Sequence, residues 1–217
     1  MNEILDFILK NKVITICRKV YGDDLMNLAK ALTEGGVKMI EVTFDQEDPD
    51  CVRKTSEAIS TLKDYFKNEM HFGAGTVLNT EQVEAAYAAG AKYIIAPNVN
   101  LDVIRRTKEL GLISIPGAMT PSEVMTAYDN GADIVKLFPA NYLGFSYIKD
   151  LRAPINHVKL LATGGVTEEN FEAFLKAGLV GAGVSSRLCD KKLIAAGDFA
   201  EITRRAKVFS KIAKQYE

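Results

Sequence analysis

The stretch Asp129-Asn130-Gly131-Ala132-Asp133-Ile134-Val135-Lys136-Leu137 leaves a helix, turns on a glycine and enters an apolar strand. The phrase recurs as Ala88-Ala89-Gly90-Ala91-Lys92-Tyr93-Ile94-Ile95-Ala96, as Glu109-Leu110-Gly111-Leu112-Ile113-Ser114-Ile115 and as Lys176-Ala177-Gly178-Leu179-Val180-Gly181-Ala182-Gly183. Glycine just past a helix accepts the left-handed conformation that side chains resist. Each copy therefore reads as the end of one helix and the start of one strand. Outward from these copies, short apolar runs recur at residues 13–17, 39–43, 71–75, 93–96, 112–115, 134–138, 158–162 and 181–185, with successive starts 19 to 32 residues apart. Helix-period stretches lie between them, among them 24–33, 80–88, 101–110, 121–129 and 168–176, and a last helix spans 199–216. Asn79-Thr80-Glu81-Gln82, Thr120-Pro121-Ser122-Glu123 and Thr167-Glu168-Glu169-Asn170 read as helix starts, each with a capping side chain before acidic or proline first-turn residues.

Alternating strand and helix imply a parallel sheet with right-handed crossovers. Eight such units in 217 residues predict one (β/α)8 barrel over residues 1–217. Residues 1–12 carry Ile4, Leu5, Ile8 and Leu9 at helical spacing, broken by Glu3 and Asp6. That pattern predicts an additional amphipathic N-terminal helix, not a signal peptide. An open doubly wound sheet would carry a glycine-rich fingerprint after its first strand, where this chain has Arg18-Lys19-Val20.

The formal net charge is −1, so bulk electrostatics recommend neither a nucleic-acid nor a membrane partner, and any phosphate binding must be local. Cys17, Cys51 and Cys189 form no metal-ligand spacing and read as reduced, buried thiols of a cytoplasmic protein. His71 and His157 stand far apart, with no partner one helical turn away, so no metal site is expected.

In a barrel, chemistry gathers at the C-terminal ends of the strands. Lys136 lies inside the sixth apolar run and shares a face with Ile134 and Phe138. Burial disfavours an ammonium group, and a neutral amine attacks ketones to form imines. The alternative is a lysine whose stem reaches from the strand end to water. Glu41 shares a face with Met39 and Thr43, and reads either as an acid/base group or as a counter-ion to a buried cation. Arg18 ends the first run and Thr76 follows Gly73-Ala74-Gly75. Gly164-Gly165 and the turn Gly183-Val184-Ser185-Ser186 follow the last two runs, where this fold commonly builds a phosphate site from backbone N–H groups. A lysine, a carboxylate, an arginine and a phosphate cradle at one mouth suit imine chemistry on a phosphorylated keto acid. In that reading Arg18 and Thr76 hold the substrate carboxylate.

Glu41-Val42-Thr43, Gly73-Ala74-Gly75-Thr76-Val77, Ile115-Pro116-Gly117, Val135-Lys136-Leu137-Phe138-Pro139-Ala140 and Ala162-Thr163-Gly164-Gly165-Val166 resemble the 2-keto-3-deoxy-6-phosphogluconate (KDPG) and 4-hydroxy-2-oxoglutarate (KHG) aldolase family. The resemblance runs in order from Ile14 to Ser186. It implies a pyruvate-forming class I (Schiff-base) aldolase, usually a homotrimer, that needs no metal or organic cofactor. It implies Lys136 as the imine lysine and Glu41 as the acid/base group. Arg18 and Thr76 would contact the carboxylate, Pro97 and Phe138 would form walls, and Thr163 would touch the substrate chain. Gly164, Gly165 and Ser186 would cradle the phosphate. The implied reaction cleaves KDPG to pyruvate and glyceraldehyde 3-phosphate, with KHG to pyruvate and glyoxylate as a second activity. One family branch acts on the phosphogalactonate epimer. A sugar-phosphate isomerase or a catalytically silent phosphosugar binder on the same barrel are the rival readings.

One position departs from the family pattern. Many members carry arginine two residues after Glu-Val-Thr, where this chain has Asp45, in the acidic loop Phe44-Asp45-Gln46-Glu47-Asp48-Pro49-Asp50. Either Arg18 holds the carboxylate alone or the preferred substrate differs.

Overall fold

The computed structural model describes residues 2–216. Its strands are β1 (Val13–Cys17), β2 (Met39–Thr43), β3 (His71–Gly75), β4 (Tyr93–Ile95), β5 (Ile113–Ile115), β6 (Gly117–Ala118), β7 (Val135–Leu137), β8 (Leu160–Thr163) and β9 (Gly181–Val184). Every neighbouring pair is parallel, in the order β5-β4-β3-β2-β1-β9-β8-β7-β6. Helices α1 (Glu3–Asn11), α2 (Gly22–Glu34), α3 (Cys51–Phe66), α4 (Thr80–Ala89), α5 (Leu101–Glu109), α6 (Pro121–Asp129), α7 (Ala140–Arg152), α8 (Phe171–Lys176), α9 (Lys191–Ala195) and α10 (Phe199–Lys214) surround the strands. This is the (β/α)8 barrel expected, with α1 as the additional N-terminal helix. The glycines of the repeated phrase, Gly90, Gly111, Gly131 and Gly178, all have positive φ, between 73° and 98°. No described helix is long and apolar enough to cross a membrane.

Three elements differ from the sequence expectation in ways that matter here. The fifth strand is split: β5 pairs with β4, β6 pairs with β7, and Pro116 stands between them. Proline has no N–H to continue the ladder. Its carbonyl still accepts from Lys136 N (2.9 Å), while Ile115 O accepts from Ala96 N (3.2 Å). The two pieces thus act as one bent strand that joins both edges and closes the ring. Gly117 is required at the bend, because a Cβ there would overlap the Pro97 carbonyl. The eighth helix begins at Phe171 and not at residue 168. The Asn170 side chain accepts from Thr167 N and donates to Gly165 O (both 2.8 Å), which folds 165–170 into a turn before the helix. The last helix ends at Lys214, two residues short of the expected limit.

Strand alternation sorts the side chains into two cores. Ile14, Met39, Tyr93, Ile95, Ile113, Ile115, Ile134 and Leu161 fill the barrel, and Ile8 of α1 closes its floor. The opposite faces, including Ile40, Val42, Ala74, Ile94, Val135, Leu137, Leu160 and Ala162, pack under the helices together with all three cysteines. Each fully buried aliphatic side chain contributes roughly 1.5–3 kcal/mol relative to exposure, so the filled floor is a rigid base for what stands above it.

Candidate active site

The alternation that buries Ile134 and Met39 in the floor aims Lys136 and Glu41 at the same interior, one step nearer the mouth. Glu41 needs room, and β3 supplies it. Inward positions 73 and 75 are glycines: a Cβ at Gly73 would overlap the Tyr93 ring, and one at Gly75 would overlap the Glu41 carboxylate. Tyr93 in turn donates its hydroxyl proton to Ile40 O (2.8 Å), fixing the layer beneath Glu41. The Gly-Ala-Gly run is thus a volume requirement of its neighbours.

Above this layer opens a cavity of about 340 Å³, lined by Ile16, Arg18, Thr76, Pro97, Lys136, Phe138, Thr163, Gly164, Gly165, Val166, Gly183, Ser185 and Ser186. Nine of the ten residues singled out in the sequence line it. Glu41, the tenth, sits below and is only 2% exposed. Sequence reasoning did not single out Ile16 and Val166. Ile16 was legible, since it alternates onto the Ile14 face. Hollows of about 420 and 570 Å³ lie between outer helices and contain none of the ten, while a hollow of about 400 Å³ beside the mouth shares Arg18 and Ser186 with it.

Lys136 is 7% exposed, and its ammonium lies 4.9 Å from the Phe138 ring centroid. Burial pushes its pKa below the ordinary lysine value, and the Arg18 charge adds to that; the Glu41 charge works the other way. Burial likewise pushes the Glu41 pKa above the ordinary carboxylate value, against the opposing pull of Lys136 and Arg18. Among the described residues Glu41 Oε2 is buried with no hydrogen-bond partner. A proton acceptor with an unsatisfied oxygen beside an amine held toward its neutral form can move protons to and from that amine.

Thr76 adopts a left-handed φ of 55°, a conformation costing about 1–3 kcal/mol for a non-glycine residue. A relay holds it there. Gln46 Nε2 donates to Thr76 O (2.9 Å), Gln82 Nε2 donates to Gln46 Oε1 (3.0 Å), and Leu78 N donates to Gln82 Oε1 (2.7 Å). Gln46 carries no local sequence signal and Gln82 reads only as part of a capped helix start, because the loop after β2 and the first turn of α4 meet only in the fold. Gly164 and Gly165 both have positive φ, and a Cβ on Gly165 would overlap the Asn141 side chain, so the loop presents backbone.

The acidic loop after Glu41 is not a bare negative neighbour. Asp45 pairs with Lys19 (3.0 Å), as does Glu47 (3.4 Å), Asp48 with Lys54 (2.5 Å) and Asp50 with Arg53 (3.0 Å). None of these acids lines the cavity.

The sequence pattern of the KDPG and KHG aldolases matches residues 4–205. The 2-dehydro-3-deoxy-6-phosphogalactonate aldolase of Escherichia coli (strain K12) is 33% identical over 180 residues, 82% of this chain and 85% of that protein. The 2-dehydro-3-deoxy-phosphogluconate aldolase of Treponema pallidum (strain Nichols) is 32% identical over 204 residues, 94% of each. Among solved structures, the KDPG aldolase of Legionella pneumophila, with pyruvate captured as a covalent carbinolamine, superposes with a TM-score of 0.82 at 25% identity, covering 94% of this chain and 96% of that one. A barrel with a buried amine and carboxylate at its mouth, matched along nearly its whole length by these enzymes, belongs to the KDPG and KHG aldolase family and is an aldolase, a carbon–carbon lyase.

Proposed function

We propose that the chain cleaves KDPG to pyruvate and glyceraldehyde 3-phosphate through an imine on Lys136. The observation that carries this reading is the buried amine of Lys136 in the mouth cavity, above the buried carboxylate of Glu41. Neutral Lys136 Nζ attacks the C2 ketone. Glu41, through a water, delivers and removes the protons that convert the carbinolamine to an imine with loss of water. The protonated imine accepts the electron pair of the C3–C4 bond as the C4 hydroxyl gives up its proton. Glyceraldehyde 3-phosphate leaves and an enamine remains. Protonation at C3 and hydrolysis then release pyruvate and restore the amine.

Arg18 and Thr76 hold the carboxylate, Pro97 and Phe138 wall the reacting carbons, and Thr163 contacts the chain. Gly164, Gly165 and Ser186 take the phosphate on backbone N–H groups and a hydroxyl, which glycine's missing side chain lets it approach. KHG, which has no phosphate, is a second substrate of the same pocket. The acting form is a homotrimer in the cytoplasm. Met119 and Phe145, both more than two-fifths exposed, and Tyr142, 82% exposed, are apolar surface suited to such contacts.

A second reading is cleavage of the phosphogalactonate epimer. It is favoured by the similarity to the Escherichia coli enzyme and by Asp45 in place of the family's common arginine.

Borohydride reduction in the presence of pyruvate, followed by peptide mapping, tests the reaction type. An adduct on Lys136 is expected, and an adduct on another lysine overturns the assignment. Steady-state comparison of the two epimers and KHG tests the substrate, and a higher kcat/KM for the galactonate epimer replaces the first reading with the second. Analytical ultracentrifugation tests the trimer.

A further inference from the structure

Two loops form the cradle, one after β8 and one after β9, and beyond the last paired residues (Thr163 with Gly183) no sheet ladder holds them together. Each is anchored separately. The Asn170 side chain ties the first loop through Gly165 O and Thr167 N. Arg205 ties the second, donating to Arg187 O (3.3 Å) and Asp190 (3.2 Å) while Glu201 holds its Nε (2.8 Å). One side-chain fork joins loop to loop: Arg187 Nε and Nη2 donate to Glu168 Oε2 and Oε1 at 2.7 and 3.0 Å. Arg187 directly follows Ser186, and Glu168 comes three residues after Gly165. Neither side chain lines the cavity. Two parallel hydrogen bonds between planar groups fix distance and angle together, as a single bond does not. The Glu168 side chain is only 10% exposed, so its charge is compensated mainly by Arg187.

We propose that the Glu168–Arg187 fork is a positioning pair that sets the separation of the two halves of the phosphate cradle. It thereby governs affinity for the phosphate end of the substrate and leaves the amine chemistry alone. The proposal rests on the phosphate role given above to Gly164, Gly165 and Ser186. It also predicts an asymmetry. Removing Arg187 leaves a part-buried carboxylate next to the place where a phosphate binds, so repulsion adds to the loss of geometry. Removing Glu168 leaves the Arg187 cation with only the weaker pull of Glu169 and Asp190, which offsets part of that loss.

The test compares the full-length protein with Arg187→Met, Arg187→Lys and Glu168→Gln. Three quantities are read: KM for the phosphorylated keto acid, dissociation of inorganic phosphate by calorimetry, and the rate of borohydride trapping with pyruvate, which has no phosphate. For Arg187→Met, KM and the phosphate dissociation constant are expected to rise roughly 10- to 100-fold, the scale at which a misplacement near 1 Å costs an active site. Trapping with pyruvate should stay within about twofold, since the fork touches neither Lys136 nor Glu41. Glu168→Gln should show a smaller rise, and Arg187→Lys, which keeps charge but not the fork, should fall between. Equal loss of trapping and phosphate affinity would mean a general structural role and overturn the proposal, as would unchanged phosphate binding in Arg187→Met. The phosphate titration needs no turnover. Failure of the wild type to trap pyruvate therefore counts against the aldolase reading and leaves the fork to be judged on phosphate binding.

Discussion

Gly75 lies against the carboxylate of Glu41 so closely that a single methyl group on it would overlap Oε1. The backbone at residue 75 has no positive φ, so alanine is conformationally acceptable there and the collision is with the side chain alone. Gly75→Ala is therefore predicted to displace Glu41 while keeping the barrel. Imine trapping with pyruvate should slow by about 10²-fold, the lower end of what a positioned acid/base group contributes. The melting temperature and trapping rate, measured together, decide it: an unfolded variant or undiminished trapping would each count against a purely local displacement.

Glu41→Gln is predicted to be slow yet stable. Burial raises the Glu41 pKa above 4.5, so the folded protein holds this proton more tightly than the unfolded chain does. The ionised carboxylate is thus a cost to folding at neutral pH, and the cost fades as pH falls through the raised value to below 4.5. The glutamine variant should gain about 0.5–2 kcal/mol at pH 7, the usual gain when a strained functional group is relieved, and nothing at pH 4. Denaturant titration at the two pH values checks the sign.

Lys136 has the opposite proton balance. Its pKa is lowered from 10.5 by burial, so pyruvate trapping should rise with pH through that lowered value and level off below pH 10.5. Because the Glu41 charge works to raise the Lys136 pKa, the rise should move to lower pH in Glu41→Gln. Lys136→Met should abolish trapping. It should also stabilise the protein most at pH below the lowered pKa, where the wild type must bury an ammonium group. A trapping profile that follows an ordinary lysine would refute the neutral-amine reading.

Gln82 is the buried end of the relay that holds Thr76 in its left-handed conformation. Gln82→Leu leaves Leu78 N and the Gln46 amide without their partner. A stability loss of about 0.5–1.5 kcal/mol is expected, the net worth of a hydrogen bond whose groups water can partly satisfy, since Gln46 and Leu78 are exposed residues. The pyruvate concentration giving half-maximal trapping should rise, while the rate at saturating pyruvate stays near that of the wild type. A fall in the saturated rate with no change in the half-maximal concentration would remove Thr76 from carboxylate binding.

Much of this was written along the chain. The glycine-strand phrase and the even beat of apolar runs determined the barrel, because a strand buried on both faces must be apolar and a helix that ends on glycine must turn. The same alternation placed Lys136 with Ile134 and Glu41 with Met39, so the two charges at one mouth were legible in the sequence. Two features were not. Pro116 splits the fifth strand, and residue 117 must be glycine because the Pro97 carbonyl leaves no room for a Cβ there. The turn at 165–170 replaces the first part of a helix because Asn170 satisfies its own loop.

The sequence by itself determined the eightfold repeat and the identity of the charged residues at the strand ends, since both follow from periodicities of two and of 3.6 residues. Only the tertiary structure decided what those charges meet. The inward glycines of β3 make room for Glu41 and Tyr93, each base near the acidic loop takes its acid, Gln46 finds Gln82, and Glu168 finds Arg187. These are contacts between segments far apart in the chain, and local periodicity carries no information about the distance between them.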